Sequence, residues 1–332
     1  MAALGTGNLT LLDWAKRLDP DGKVPMIAEL LSQKNAIIET MVAREANDGT
    51  GHRITQRASL PTVSARSFNE GVSASKSTTA QVVETIAMYE AKSEVDVALA
   101  RLNGNSAAFR LSEAKAFIEA MNIQVAGDLF TASKAVSPSK FNGFRTRYAS
   151  TSGATGDNVV LFNAGVAEAG NNSLDMFLVV WGDETCYTIF PKGSKAGLGH
   201  YPLQDDYVQD AASKEFFAHR DRWTWDIGLA LHDWRGVVRG EVDRSVMLAA
   251  AKSSSVIIDG MIEMTYRTPL LSSGRPAFYV GRLLMQYLHH SARGGASYQL
   301  TVENVEGKPK TTFLGIPVYL CDALSAVATA AT

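Results

Sequence analysis

The sequence predicts an α+β fold organised around one long helix, and three observations carry that reading. From Ser106 to Thr131, the residues Ala107, Leu111, Ala114, Ile118, Met121, Val125 and Leu129 recur at steps of three and four, which places them on one helical stripe. Short β-rich apolar runs follow it, above all Met176 to Val180 within Asp175–Trp181, bounded as a buried strand should be. Before it lies Gly49 to Ser77, rich in Gly, Ser, Thr and Arg and poor in apolar residues, followed by a β-branched run from Thr79 to Leu99. A stretch that long with no apolar face is either disordered or ordered by something outside it.

Taken in chain order, Leu9 to Asn47 reads as two helical pieces, broken by Asp19-Pro20-Asp21-Gly22, because proline fixes φ and glycine accepts positive φ. The second piece begins near Pro25 and places Ile27, Leu30, Leu31, Ala36, Ile38 and Met41 on its apolar side. Gly49 to Glu90 reads as a projecting β-hairpin with a basic outgoing limb (Arg53, Arg57, Arg66, Lys76) and an acidic return, whose β-branched run carries Glu84, Glu90 and, just past the hairpin, Glu94. In the long helix, Asn105 or Ser106 supplies the N-cap oxygen. Its 26 residues extend about 39 Å at 1.5 Å per residue, more than a small core needs. Arg110, Glu113, Glu119, Gln124 and Asp128 fall off the stripe, as a solvated or partner-facing side should.

After the Gly/Ser/Thr-rich crossing from Lys140 to Asp157, strands are expected at Asn158–Phe162, Asp175–Trp181 and Thr185–Phe190. Helices are expected over Arg244–Tyr266, with Gly260 as a weak point, and over Ala277–Ala292, ended by Gly294-Gly295. Tyr298–Val305 and Thr311–Tyr319 read as a closing hairpin, and an alanine-rich tail runs from Ala326 to Thr332. No internal repeat is visible.

Composition excludes several classes. The length of 332 residues accommodates two domains or one with large insertions, and 46% hydrophobic with 20% charged residues is a soluble, globular balance. A net charge of −2 argues against nucleic-acid binding by bulk electrostatics. Cys186 and Cys321 make no disulfide framework and fit a reducing cytosolic origin. No signal peptide and no membrane span is read.

The search for chemistry finds no specific site. Pro191-Lys192-Gly193-Ser194-Lys195-Ala196-Gly197 is not a phosphate loop, since its lysine does not follow a four-residue arch at a helix start. The six histidines form no HExxH or Cys/His cluster, so no metal and no cofactor is expected. No nucleophile elbow exists, and Cys186 in a strand reads as a buried apolar thiol. Trp223, Trp225 and Trp234, interleaved with Arg220, Arg222, Arg235 and Arg239, resemble a base-stacking platform, but Asp221, Asp226 and Asp233 nearly cancel the charge. Aromatic packing in a core or at a subunit interface accounts for them more simply. A chain of this length without a site points to a protein that works through its shape and contacts.

Three motifs carry a family resemblance. They are Val179-Val180-Trp181-Gly182 with Tyr187-Thr188-Ile189-Phe190-Pro191-Lys192-Gly193-Ser194, then Pro276-Ala277-Phe278-Tyr279-Val280-Gly281-Arg282-Leu283, then Phe313-Leu314-Gly315-Ile316-Pro317-Val318 with Asp322-Ala323-Leu324. Together they resemble the major capsid proteins of short-tailed double-stranded DNA phages. The resemblance implies the Hong Kong 97-type capsid fold, with a spine helix, an extended β-hairpin loop reaching over a neighbouring subunit, and peripheral and axial domains.

It implies segments 1–48 as N-terminal arm, 49–98 as extended loop, 99–157 as peripheral domain with the spine, 158–244 as axial domain, and 245–332 as returning helices and strands. It further implies an icosahedral shell of pentamers and hexamers around packaged DNA held without sequence-specific binding. Portal, scaffolding and cementing proteins are the implied partners, and no enzyme activity is implied. Arg53, Arg57, Arg66, Glu84, Glu90 and Glu94 are the expected charged contacts between subunits, with Trp223, Trp225 and Trp234 as packing anchors in the axial domain. Two other readings remain: an α/β enzyme of unrecognised type, and another phage component such as a tail or scaffolding protein.

Overall fold

The computed structural model describes residues 33–49, 51–101, 106–153, 155–162, 173–209, 213–244, 256–293, 300–305 and 308–325. The expected N-terminal arm up to residue 32, residues 245–255 of the expected 244–266 helix, and the alanine-rich tail lie outside them. The chain divides into two compact units. One holds 88–126 and 197–226; the other holds 35–87, 127–196 and 227–332. Segment 197–226 thus clusters with the long helix instead of with the rest of 158–244.

The second unit is organised on strand β5 (Ser173–Trp181), whose nine residues are all buried. It lies between β10 (Val237–Asp243) and β11 (Arg275–Val280), antiparallel to both, and β4 (Val159–Leu161) extends the sheet beyond β10 in parallel. Beyond β11 come β14 (Ile316–Leu320), parallel to it, then β13 (Lys308–Phe313) and β12 (Leu300–Val305), joined as an antiparallel meander. A strand covered on both faces needs apolar residues at every position, and β5 has them. Leu174, Met176 and Leu178 face α5 (Val256–Arg267) and α6 (Arg282–Arg293) in one core with Met261, Met264, Leu284 and Leu288. Phe177 and Trp181 face a cluster of aromatics with Phe130, Phe144 of the short α4 (Phe144–Arg147) and Tyr279, ring centroids 5.5 to 6.3 Å apart.

Gly260, the expected weak point, is required: a Cβ there would sit 2.5 Å from the Phe162 ring, so α5 crosses at a distance only glycine permits. One polar network crosses the buried sheet. Arg239 donates to Asp175 Oδ1 at 2.9 and 3.0 Å and to the Tyr148 carbonyl at 2.9 Å, while Arg145 donates to Asp175 Oδ2. Asp175 is fully buried and Arg239 nearly so.

On the other side of β5, at Trp181, β6 (Cys186–Phe190) leads to the end of β9 (Glu215–Leu231), and from there to β3 (Thr78–Asp96) and β2 (Gly51–Ser59). The helical reading needs correction over residues 33–47. Among these described residues only α1 (Ile37–Thr40) is helical, and β1 (Ala43–Glu45) pairs in parallel with Thr188–Phe190. Its three side chains are exposed, so backbone bonds to an offered strand edge override local helix propensity. Likewise Ala277–Val280 is strand, because hydrogen-bonded neighbours on both sides claim that apolar run, and the helix starts only at Arg282.

In the first unit, α3 (Ser106–Thr131) has the predicted bounds, α2 (Val97–Arg101) precedes it, and β7 (Gly199–Pro202) and β8 (Asp206–Gln209) pair with the first part of β9. The inward face of its first half is not the predicted one. Leu111 and Ile118 are exposed, whereas Arg110 makes a bidentate bond to Asp221 at 2.9 to 3.2 Å and Phe117 stacks on Trp223 at 4.7 Å. The partners on β9 select the face, and the apolar count does not.

Candidate assembly surfaces

The hairpin is built from its register outward. Gly51 pairs with Thr85 and the ladder continues to Arg57↔Thr79, then breaks at a bulge before Ser59↔Thr78. Its base is fastened to the sheet. Ile54 is buried among Tyr187, Ile189 and Ala230, and the Gln56 amide donates to the Leu231 and His232 carbonyls. The Asn47 backbone N–H donates to His52 Nδ1, so Nε2 carries the proton and donates to the Tyr187 hydroxyl at 2.8 Å. Burial, then the Arg44 charge, holds His52 below the ordinary histidine pKa.

Beyond this base every residue from 57 to 81 is exposed. Leu60, Val63 and Phe68 stand 75, 95 and 99% exposed, with only local bonds such as Ser75 to the Thr62 carbonyl around them. Burying side chains of this size against a partner stabilises each by roughly 1.5–3 kcal/mol.

The predicted contact residues separate. Arg53, Arg57 and Arg66 are exposed, and no ion pair involves them among the described residues. Glu90 and Glu94 are at the surface of the first unit, paired with Arg222 at 2.7 Å and Arg220 at 3.8 Å. The Arg222 hydrogen bond lowers the Glu90 pKa. Glu84 is a correction. It is 6% exposed and takes two bonds of 2.6 Å from Arg147, which also donates to the Leu229 carbonyl, so it is spent inside the chain. An apolar-poor hairpin hides this, because the arginine that buries the carboxylate is remote in sequence.

The tryptophans are a second correction. Trp223 and Trp225 are buried in the first unit, Trp223 with both Phe117 and His200 stacked on it, and Trp234 belongs to the second unit. Trp223 and Trp225 are anchors within the chain, while Trp234 is only half-buried. The arginines beside them are committed too, Arg235 to Asp233 and Arg239 to Asp175. Sequence reasoning passed over Asp175, Arg145 and Arg147; the only available signal was a charge inside an apolar run.

Among the described residues no metal-holding cluster competes with these surfaces. Cys186 and Cys321 are buried free thiols, and burial pushes the latter up to about 12. Among the described residues no group of three His, Cys, Asp or Glu is placed to hold a metal, and no helix is long and apolar enough to cross a membrane.

A long helix, a projecting hairpin with a bare tip and a sheet covered on both faces define a shell-building subunit of the Hong Kong 97-type capsid fold. A chain in the structure of bacteriophage Epsilon15 shares 29% identity at a TM-score of 0.78, with 99% of each chain covered. A chain of the bacteriophage JBD30 capsid is 9% identical at a TM-score of 0.49, covering 92% of this chain and 99% of that one, too distant to bear weight. No curated protein sequence matches. The major capsid protein GP7 family profile matches residues 19–330, and the chain belongs to that family. It is a phage capsid protein that associates with copies of itself, a shell component and not an enzyme.

Proposed function

We propose that the hairpin is the element by which each subunit clasps a neighbour in an icosahedral shell of pentamers and hexamers. The observation that carries this reading is the exposed limb 57–81, whose Leu60, Val63 and Phe68 find no cover among the described residues. Arg57 and Arg66 from that limb and Arg53 from the hairpin's base supply charged contacts, and Glu90 and Glu94 face a neighbour from the first unit. Segment 99–157, with 197–226 clustered on the first part of its spine helix, serves as the peripheral part. The rest of 158–244 serves as the axial part, and 245–332 supplies helices and closing strands that return through both. Many weak contacts then sum to a stable shell, because each subunit grips several others at once.

In this reading the shell is made in the bacterial cytoplasm around scaffolding and portal proteins, can take a cementing protein, and holds double-stranded DNA without reading its sequence. The near-neutral charge supports that last point. Deleting Ser59 to Ser75 should leave a soluble, folded subunit that closes no shells under negative-stain microscopy. Normal particles from the deletion would remove the hairpin from the mechanism.

A further inference from the structure

β13 and β14 are joined by the two residues Leu314 and Gly315, with Phe313 paired to Ile316 across the turn. Both turn residues have positive φ, 49° and 79°. That turn is built for Asn-Gly or Gly-Gly, since a side chain at positive φ crowds its own backbone. Asn69 and Ser213 are the other described residues besides glycine at positive φ. Both have short polar side chains, and asparagine tolerates this conformation well. Leucine has no such excuse.

Leu314 is also only half covered by its own chain. Phe313 and Ile316 on either side of the turn enter the core, while Leu314 is 48% exposed at the tip. The sequence on either side is uncharged: no Asp, Glu, Lys or Arg occurs from 311 to 321. Exposed turns are ordinarily polar, and depletion of charge is the mark of the centre of an interface. A strained backbone carrying an exposed apolar side chain persists where something outside the fold rewards it.

We propose that Leu314 is an intersubunit contact, an apolar knob that enters a depression on a second copy of this chain. This rests on the shell-forming reading and adds a contact distinct from the hairpin. Leu314→Asn relaxes the turn and removes the knob; Leu314→Met keeps an apolar side chain on the same backbone. Shell yield is measured by sedimentation and negative-stain microscopy over a series of subunit concentrations, with thermal unfolding of unassembled subunits alongside.

The expected result is that Leu314→Asn melts no lower than the parent but raises the threshold concentration for shells by about tenfold or more, since the lost anchor recurs at each contact in the lattice. Leu314→Met should assemble near the parent threshold. An unchanged threshold for Leu314→Asn overturns the inference, and so does a raised threshold accompanied by a lower melting temperature. Failure of the unaltered chain to form any particle overturns the shell-forming reading itself, a separate outcome.

Discussion

Strand β5 and the limb 57–81 are opposite solutions for apolar residues in one chain. All nine β5 residues are buried, between two hydrogen-bonded neighbours and under side chains on both faces. Every residue of the limb is exposed, Phe68 almost completely. Leu, Val and Phe occur in both. What differs is whether the chain itself supplies the second surface. Stability of the subunit should therefore depend on β5 and its surroundings, and assembly on the limb, and substitutions can test how cleanly the two separate.

The largest loss of subunit stability is expected at the β5 polar network. Arg239→Ala removes two donors from a fully buried Asp175 and leaves that carboxylate with Arg145 alone. Breaking a buried pair from one side costs about 3–5 kcal/mol, because the remaining charge stays desolvated. Urea unfolding should read that loss directly. A change below about 1 kcal/mol would mean that water or local relaxation reaches Asp175 and that the burial of β5 is overstated.

Next comes the helix that covers β5. Gly260→Ala places a methyl carbon within 2.5 Å of the Phe162 ring. Overpacking a tight core typically costs about 1–3 kcal/mol, against a gain of about 1 kcal/mol in helix propensity. Net destabilisation in urea is the expected sign. Stabilisation would show that Phe162 yields freely.

The two regions were not equally legible in the sequence. β5 was visible because a short run of apolar residues bounded by polar ones has few other solutions. The bounds of α3 were visible from its periodicity, and the hairpin from its lack of apolar residues. What stayed hidden depends on partners far along the chain. Phe117 faces inward because Trp223 is there to stack on it, while Leu111 on the predicted stripe is left outside. Glu84 looks like a surface charge until Arg147 folds over it. Ala43–Glu45 becomes strand only because β6 offers an edge. Local pattern reports which surfaces want cover, and long-range pairing decides which of them get it.

The base of the hairpin is where the two regimes meet, and it predicts a pH dependence. His52 is held neutral by burial first and by Arg44 next; Glu84 opposes, His232 adds to the effect, and the Tyr187 hydroxyl accepts its Nε2 proton. Its pKa is lowered from 6.5, so the unfolded chain binds a proton that the folded chain resists. Stability is therefore complete above that value and falls as the pH drops from 6.5 towards the lowered folded value. Melting temperatures followed from neutral to mildly acidic pH should decline across this window, and His52→Gln should flatten the decline attributable to this site. An identical slope in the variant would locate the dependence elsewhere.

The smallest effect on stability, paired with a large one on assembly, is expected at the tip of the limb. Phe68 is 99% exposed, so Phe68→Ser removes no contact within the subunit. Unfolding free energy should stay within about 0.5 kcal/mol of the parent, the usual range for surface changes. Each subunit nevertheless forfeits an aromatic anchor, and a shell multiplies that loss over all its contacts. Sedimentation of equal subunit concentrations should show fewer shells from Phe68→Ser than from the parent, with unfolding curves that superpose. If shells form equally well, the exposed aromatic is idle and the division between a self-sufficient β5 and a dependent limb loses its sharpest support. If the unfolding curve moves instead, the tip has cover within its own chain and the comparison fails from the other side.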